Sequence, residues 1–236
     1  MQKLRLAPST VPTYTMTLPV TGMVVKYRPF LVKEEKILLI ALQSGNPNQI
    51  IPAIRNLILA CTENKLDTKK IPSADASYAM LQIRARSIGE EVKPIVKCSH
   101  CDGKTPIKIN LEKVQVTKKQ QEEKSPNIKI NDDVTLIMRY PNIHDLDVTK
   151  EEAEMIFEMA YSCIDKVAYK DEIYDRGEVQ EEDIHLFIES LLPDQFKQII
   201  EFIESAPTVN YEFSFSCPNC KQKVRVLLEN ISDFFL

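Results

Sequence analysis

Tryptophan is absent from this 236-residue chain, glycine occurs 5 times and histidine 3. So few glycines leave little for a phosphate-cradling loop, and neither G-x-G-x-x-G nor G-x-x-x-x-G-K-[ST] occurs. No apolar run approaches the ~20 residues that a membrane-spanning helix requires. The opening Met1-Gln-Lys-Leu-Arg5 has no apolar stretch behind its basic residues, so no secretory signal is expected. The expected setting is a reducing cytoplasm, where the 6 cysteines are thiols or metal ligands rather than disulfides.

What is present is ordinary for a soluble protein, with 44% apolar and 27% charged residues. The length suits one large domain or two small ones. Charge is uneven. Residues 1–124 hold 20 Lys and Arg against 11 Asp and Glu, a formal +9, whereas residues 125–236 hold 10 against 23, a formal −13. Such asymmetry permits partners of opposite sign on two faces, although solvated faces that offset one another also account for it.

Pro8, Pro12 and Pro19 among threonines read as an extended arm, and Met23–Val32 as a strand interrupted by Pro29. Lys33–Gln43 reads as a short helix ended by Gly45. Because residues 37–42 are all apolar, burial of that helix is expected. Helical spacing continues over 48–63 and from a Ser73 cap to Gly89. Strands over 92–97 and 105–111 flank a first cysteine pair, and 113–126 reads as a charged connection. A hairpin follows around Asn131-Asp132-Asp133, over 128–130 and 134–140. Thr149 and Glu152 form a capping-box pattern before a helix over 150–166, with further helices over 180–191 and 193–205. Val209, Tyr211, Phe213 and Phe215 alternate into a second cysteine pair, from which 223–228 returns. No repeat beyond the two cysteine hairpins is legible.

The expected class is α+β. Its parts are an arm and first strand (1–32), a helical region (33–91), a first knuckle hairpin (92–112), an inserted hairpin and three helices (113–208), and a second knuckle hairpin with an apolar tail (209–236).

Cys98-x-x-Cys101 and Cys217-x-x-Cys220 each lie between an arriving and a returning strand. Two thiolates at that spacing on a tight turn can face one ion, and two such turns complete a tetrahedral shell suited to Zn²⁺. The 115 residues between Cys101 and Cys217 exceed the usual ribbon spacing of ~15–20. Closure entropy grows only logarithmically, so a folded insertion is tolerated. The expectation is a structural zinc site, not a catalytic one. Neither pair opens a helix after a βαβ pattern, as a redox motif would. A catalytic site with His100 as ligand, an iron–sulfur cluster and a metal-free fold are the alternatives.

Cys61 and Cys163 lie on apolar helix faces and read as core. His144 and His185 have no acid–base partners in sequence, and the carboxylates of 145–183 read as solvated faces. No enzymatic constellation is found. Lys93, Lys97, Lys104, Lys108, Lys221, Lys223 and Arg225 could face phosphates. A pI of 5.6 argues against a nucleic-acid module.

Lys26-Tyr-Arg-Pro-Phe-Leu-Val-Lys-Glu-Glu-Lys-Ile-Leu-Leu39, Pro72-Ser-Ala-Asp-Ala76 and Ile83-Arg-Ala-Arg-Ser-Ile-Gly89 resemble a family of baseplate hub proteins from T-even-like contractile-tailed bacteriophages. The Tyr140-Pro141 step and Phe215-Ser-Cys-Pro-Asn-Cys220 fit the same pattern. The resemblance implies a hub subunit or assembly factor, including a tail or tape-measure chaperone, without enzymatic activity. It implies other hub or tape-measure proteins as partners, and localisation in the virion after assembly in host cytoplasm. A polar arm and the apolar Phe234-Phe-Leu236 end are contact candidates, the latter with packing on the domain itself as the alternative, and Arg28 and Lys33–Lys36 are expected to pair within the chain or to contact a partner.

Overall fold

The computed structural model describes residues 10–117, 124–145 and 152–228. Readings placed on the first nine residues, the Thr149 capping box and the tail from Ile231 lie outside them.

A hairpin of β1 (Tyr14–Thr17) and β2 (Val24–Tyr27) leads into helices α1 (Val32–Ser44), α2 (Pro47–Cys61) and α3 (Ser73–Ser87). Strands β3 (Glu91–Val92), β4 (Ile95–Lys97), β5 (Lys104–Pro106) and β6 (Ile109–Asn110) form a split hairpin, β3 on β6 and β4 on β5. Strand β7 (Gln115–Thr117) follows. Next come β8 (Asn127–Lys129), β9 (Val134–Met138), α4 (Glu152–Ser162), β10 (Ile164–Tyr169), β11 (Glu172–Asp175), α5 (Glu181–Glu189) and α6 (Pro193–Glu204). Strands β12 (Thr208–Ser216) and β13 (Lys223–Leu228) close the order. The larger sheets run β11-β10-β9-β8 and β13-β12-β7, all antiparallel. Helix and sheet are thus mixed, as an α+β class requires.

Three cores result. One joins β1, β2 and the first three helices through Leu18, Ile58, Leu66 and Met80; another fills the space between the β8–β11 sheet and α4–α6 with Leu136, Ile164, Ile188 and Ile199. The third lies under the knuckle hairpins, where Leu81 and Ala85 of α3 meet Ile109, Val209 and Leu228.

The two halves repeat one plan, although only the cysteine hairpins announce it in sequence. Met16, Leu18, Val25 and Tyr27 are buried from the first hairpin, as Ile128, Ile130, Leu136 and Met138 are from the β8–β9 hairpin. Register agrees: Met16 faces Val25, and Ile128 faces Leu136. An arginine follows each hairpin. Arg28 donates its backbone N–H to Cys61 O at 2.9 Å; its guanidinium forks onto Glu34 at 2.7 and 2.9 Å and also donates to Pro29 O and Ala60 O. Arg139 donates its backbone N–H to Cys163 O at 2.8 Å; its guanidinium forks onto Asp145 at 2.7 and 3.1 Å and also donates to Tyr140 O and Ser162 O. Each carboxylate also accepts a backbone N–H from three residues earlier, Leu31 at 2.7 Å and Asn142 at 2.8 Å. The third residue of a later helix then ties back to each hairpin turn. Asp75 of α3 accepts the Val20 and Thr21 N–H groups at 2.8 and 3.0 Å, and Gln195 of α6 donates to Ile130 O at 2.9 Å. The arginine satisfies carbonyls that the ends of α2 and α4 leave unpaired, with charge-assisted bonds.

Several expectations change. Helix α1 is not buried all round: Leu38 and Ala41 are inside, but Val32 is 80% exposed, Ile37 59% and Ile40 55%. It lies against α2, so only one face is covered. Helix α4 stops at Ser162, where the Arg139 fork collects its last carbonyls, and the Ile164-Asp-Lys-Val-Ala-Tyr169 run pairs with β9 as a strand. Gln115–Thr117 is not connection but the third strand of the β12–β13 sheet. Ser73 is the first residue of α3 rather than its cap; Pro72 holds the N-cap position and makes no side-chain bond.

Arg28 holds the Glu34 carboxyl below its usual range, against burial, which opposes this. That contribution is complete above the ~4.3 of an unfolded glutamate and is lost as pH falls through the lowered folded value. Glu34→Gln should cost about 1–3 kcal/mol near neutrality by stranding a half-buried guanidinium. Urea midpoints of the two proteins should converge in acid. A gap undiminished in strong acid would refute the assignment.

Candidate metal centre

Both cysteine turns are built alike. Cys98 donates its N–H to Gly103 O at 2.9 Å and accepts the Asp102 N–H at 3.1 Å. Cys217 donates to Gln222 O at 2.9 Å and accepts the Lys221 N–H at 2.9 Å. Asp102 and Lys221, at equivalent positions, take left-handed φ values of 57° and 62°. The His100 N–H lies 3.4 Å from Cys98 Sγ, so this residue supplies backbone, not its ring, to the sulfur. The turns meet at Gly103, where a Cβ would lie 2.5 Å from Asn219 Nδ2; any larger residue would push Asn219 aside.

All four Sγ atoms lie within 4.8 Å of one another. Cys98 Sγ is 3.8 Å from Cys220 Sγ, and Cys101 Sγ is 3.6 Å from Cys217 Sγ. Tetrahedral zinc with sulfur at ~2.3 Å requires sulfur–sulfur edges of ~3.8 Å, so the set fits a four-thiolate ion. A disulfide, at ~2.05 Å, is not formed. Cys98 and Cys217 are buried and Cys101 is exposed, with Phe215, Val224 and Val226 packed behind the pair of turns. No His, Asp, Glu or further Cys joins the four cysteines among the described residues.

The electrostatics point the same way. The Cys220 N–H, aided by the Asn219 N–H, pulls the Cys217 thiol down to about 6 against the effect of burial. At Cys101 the Gly103 N–H acts downward, yet the sulfurs of Cys217, Cys220 and Cys98 push the thiol up to about 12. One thiolate thus suppresses the next, because like charges this close repel. A divalent cation among them would lift that restraint.

The other sequence candidates fall elsewhere. Cys61 and Cys163 are fully buried core residues whose thiols burial pushes up to about 12. His144 Nε2 is 3.0 Å from Thr68 Oγ1, and burial lowers its pKa; His185 stacks on Tyr161 at 3.9 Å. Lys97, Lys108 and Arg225 are held in ion pairs with Asp102, Glu91 and Glu212. Tyr211, Phe213 and Phe215 share one half-buried face of β12 and pack in series. Arg28 pairs within the chain, with Glu34; the Arg139–Asp145 fork is absent from the sequence reading, although an arginine after a strand with an acid six residues on marks it. A cavity of about 540 Å³ beside β9–β11 and α5 is apolar, with Glu178 and Asp183 at its wall.

The family model described as T4 bacteriophage base plate protein matches residues 11–236. The chain belongs to that family. No curated protein and no solved structure gives a significant match. Membership of the baseplate family implies a place in the phage particle and contacts with other baseplate proteins. No helix among the described residues is long and apolar enough to cross a membrane.

Because their thiols titrate far above neutrality and are sealed from solvent, Cys61 and Cys163 should resist iodoacetamide in the native protein at pH 7. Both should react after unfolding in denaturant. Peptide mass spectrometry reads the outcome, and native labelling of either would contradict their placement.

Proposed function

We propose that this chain is a non-enzymatic structural or assembly protein of the central baseplate hub, whose two halves are clamped by one structural zinc ion. The observation that carries the reading is the family match over 11–236 in a chain whose remote cysteines converge within 4.8 Å. Cys98, Cys101, Cys217 and Cys220 are the ligands, and the two turns form a zinc ribbon around the long excursion between them. Four protein sulfurs leave zinc no open position, which supports a structural rather than a catalytic ion. The exposed apolar residues of α1 support a working life among partners, since such patches mark interaction surfaces.

Elemental analysis should find one zinc per chain. Cys217→Ser should lose it together with several kcal/mol of stability, given the ~10–16 kcal/mol of structural zinc in small peptides. An unchanged melting temperature would exclude a structural site. Mass spectrometry of purified virions and of assembly intermediates should detect the chain with hub proteins in at least one of them. Its absence from both would sink the hub assignment.

A further inference from the structure

We propose that the free edge of β2 receives an extended segment of a partner protein, in which apolar residues alternate with acidic ones. The repeat between the halves points to it. In the second half, β9 is covered on both sides, by β8 and by β10. In the first half, the matching strand β2 has only β1 among the described residues. The divergence that leaves the edge open lies directly after the matched cysteines. Beyond Cys163 the β-rich Ile164–Tyr169 runs on as β10 and pairs with β9. Beyond Cys61 the chain instead folds back on its helix: Thr62 bonds Ile58 O through both N–H and Oγ1, Glu63 and Asn64 take φ of 54° and 59°, and the Asn64 N–H reaches Leu59 O.

The edge so left is a working ladder. Leu18 donates its N–H to Met23 O, so the hydrogen-bonded pairs of the hairpin are Leu18–Met23, Met16–Val25 and Tyr14–Tyr27. The N–H and C=O groups of Val24 and Lys26 therefore point away from β1. Arg28 N–H, two residues further on the same side, already bonds Cys61 O, as Arg139 N–H bonds Cys163 O where β10 begins. Among the described residues nothing pairs with Val24 or Lys26 on that side. Val24 is 70% exposed, and proline does not interrupt the strand until Pro29. Open edges of this kind recruit strands.

Side-chain chemistry selects the occupant. Residues opposite one another across a ladder share a face. An incoming strand would set apolar residues beside buried Val25 and Tyr27, and its alternate residues beside exposed Lys26. Lys26 forms no close ion pair among the described residues; Glu63, bonded to Lys65 at 2.8 Å, feels the Lys26 charge only as a weaker, longer-range contribution. The half that carries this edge has the formal +9. Acidic residues on the incoming strand answer both. The inference rests on the assembly reading above only for which proteins supply the strand.

The test uses the full chain. Amide exchange is followed with synthetic strand peptides alternating valine with glutamate or valine with lysine. The glutamate peptide should slow exchange at Val24 and Lys26 several-fold, and the lysine peptide should not. No protection by either, or equal protection by both, overturns the proposal. Val24→Pro removes an outward N–H without touching the β1–β2 bonds. It should keep the wild-type melting temperature and metal content but lose co-purification with co-expressed baseplate proteins; full retention overturns the proposal. Should that variant misfold, Lys26→Glu, at a solvent-facing side chain, should exchange the peptide preference. Retention of the glutamate preference would refute the edge. Self-association abolished by Val24→Pro would make a second copy the occupant and overturn the acidic-partner assignment. A wild-type chain that binds the glutamate peptide yet captures no baseplate protein supports the edge and sinks the assembly reading.

Discussion

Convergence of four sulfurs from turns 115 residues apart in sequence fastens the two halves at the knuckle hairpins, beside the core shared by α3 and β12 and the Ser73 N–H to Pro141 O bond. Each knuckle hairpin is small and would be marginal alone. Joined, they share Phe215, Val224 and Val226 and sit over a core that includes α3 from the first half and β12 from the second. Linking a loop of this length restricts the unfolded chain by roughly 4–5 kcal/mol in the chain-entropy account. The ion proposed here would therefore act far beyond its own coordination shell.

The halves are stabilised by the same small set of devices. A guanidinium fork binds a carboxylate six residues later and gathers the loose carbonyls of a helix that ends beside a buried cysteine. Such partly buried pairs are costly to break because the survivor is left charged and unsolvated. They set the direction in which the chain leaves each hairpin, and so where the following helix lies. The halves differ in α1, which has no counterpart among the described residues of the second half, and again directly after the matched cysteines. After one cysteine the chain extends as a strand, and after the other it turns back in left-handed conformation. A single local choice decides whether a sheet edge is filled from within or left open.

Exposed apolar residues on α1 follow from the same economy of layers. Among the described residues α1 lies chiefly against α2, so Leu38 and Ala41 form a dry face while Val32, Ile37 and Ile40 of its apolar run stay exposed. Uniform hydrophobicity along a helix states that all faces avoid water. It does not state whether the cover comes from this chain or another.

By itself the sequence determined most of the helices, the β8–β9 hairpin, the two cysteine hairpins, the α+β class and the four-cysteine set, because turn residues, alternation and knuckle spacing act over a few residues; the β1–β2 and β10–β11 hairpins were not legible in it. It also carried the baseplate resemblance in the Arg28–Glu34 block. What only tertiary structure decided were long-range partnerships. The end of α4 depended on a fork from Arg139, and the strand at Gln115–Thr117 existed only through pairing with β12. The common plan of the two halves stayed hidden because it is kept in hydrogen-bond geometry, which tolerates exchange of Glu34 for Asp145 or Asp75 for Gln195. Local propensity is read along the chain; a shared plan in space appears only once distant carbonyls, carboxylates and sulfurs have met.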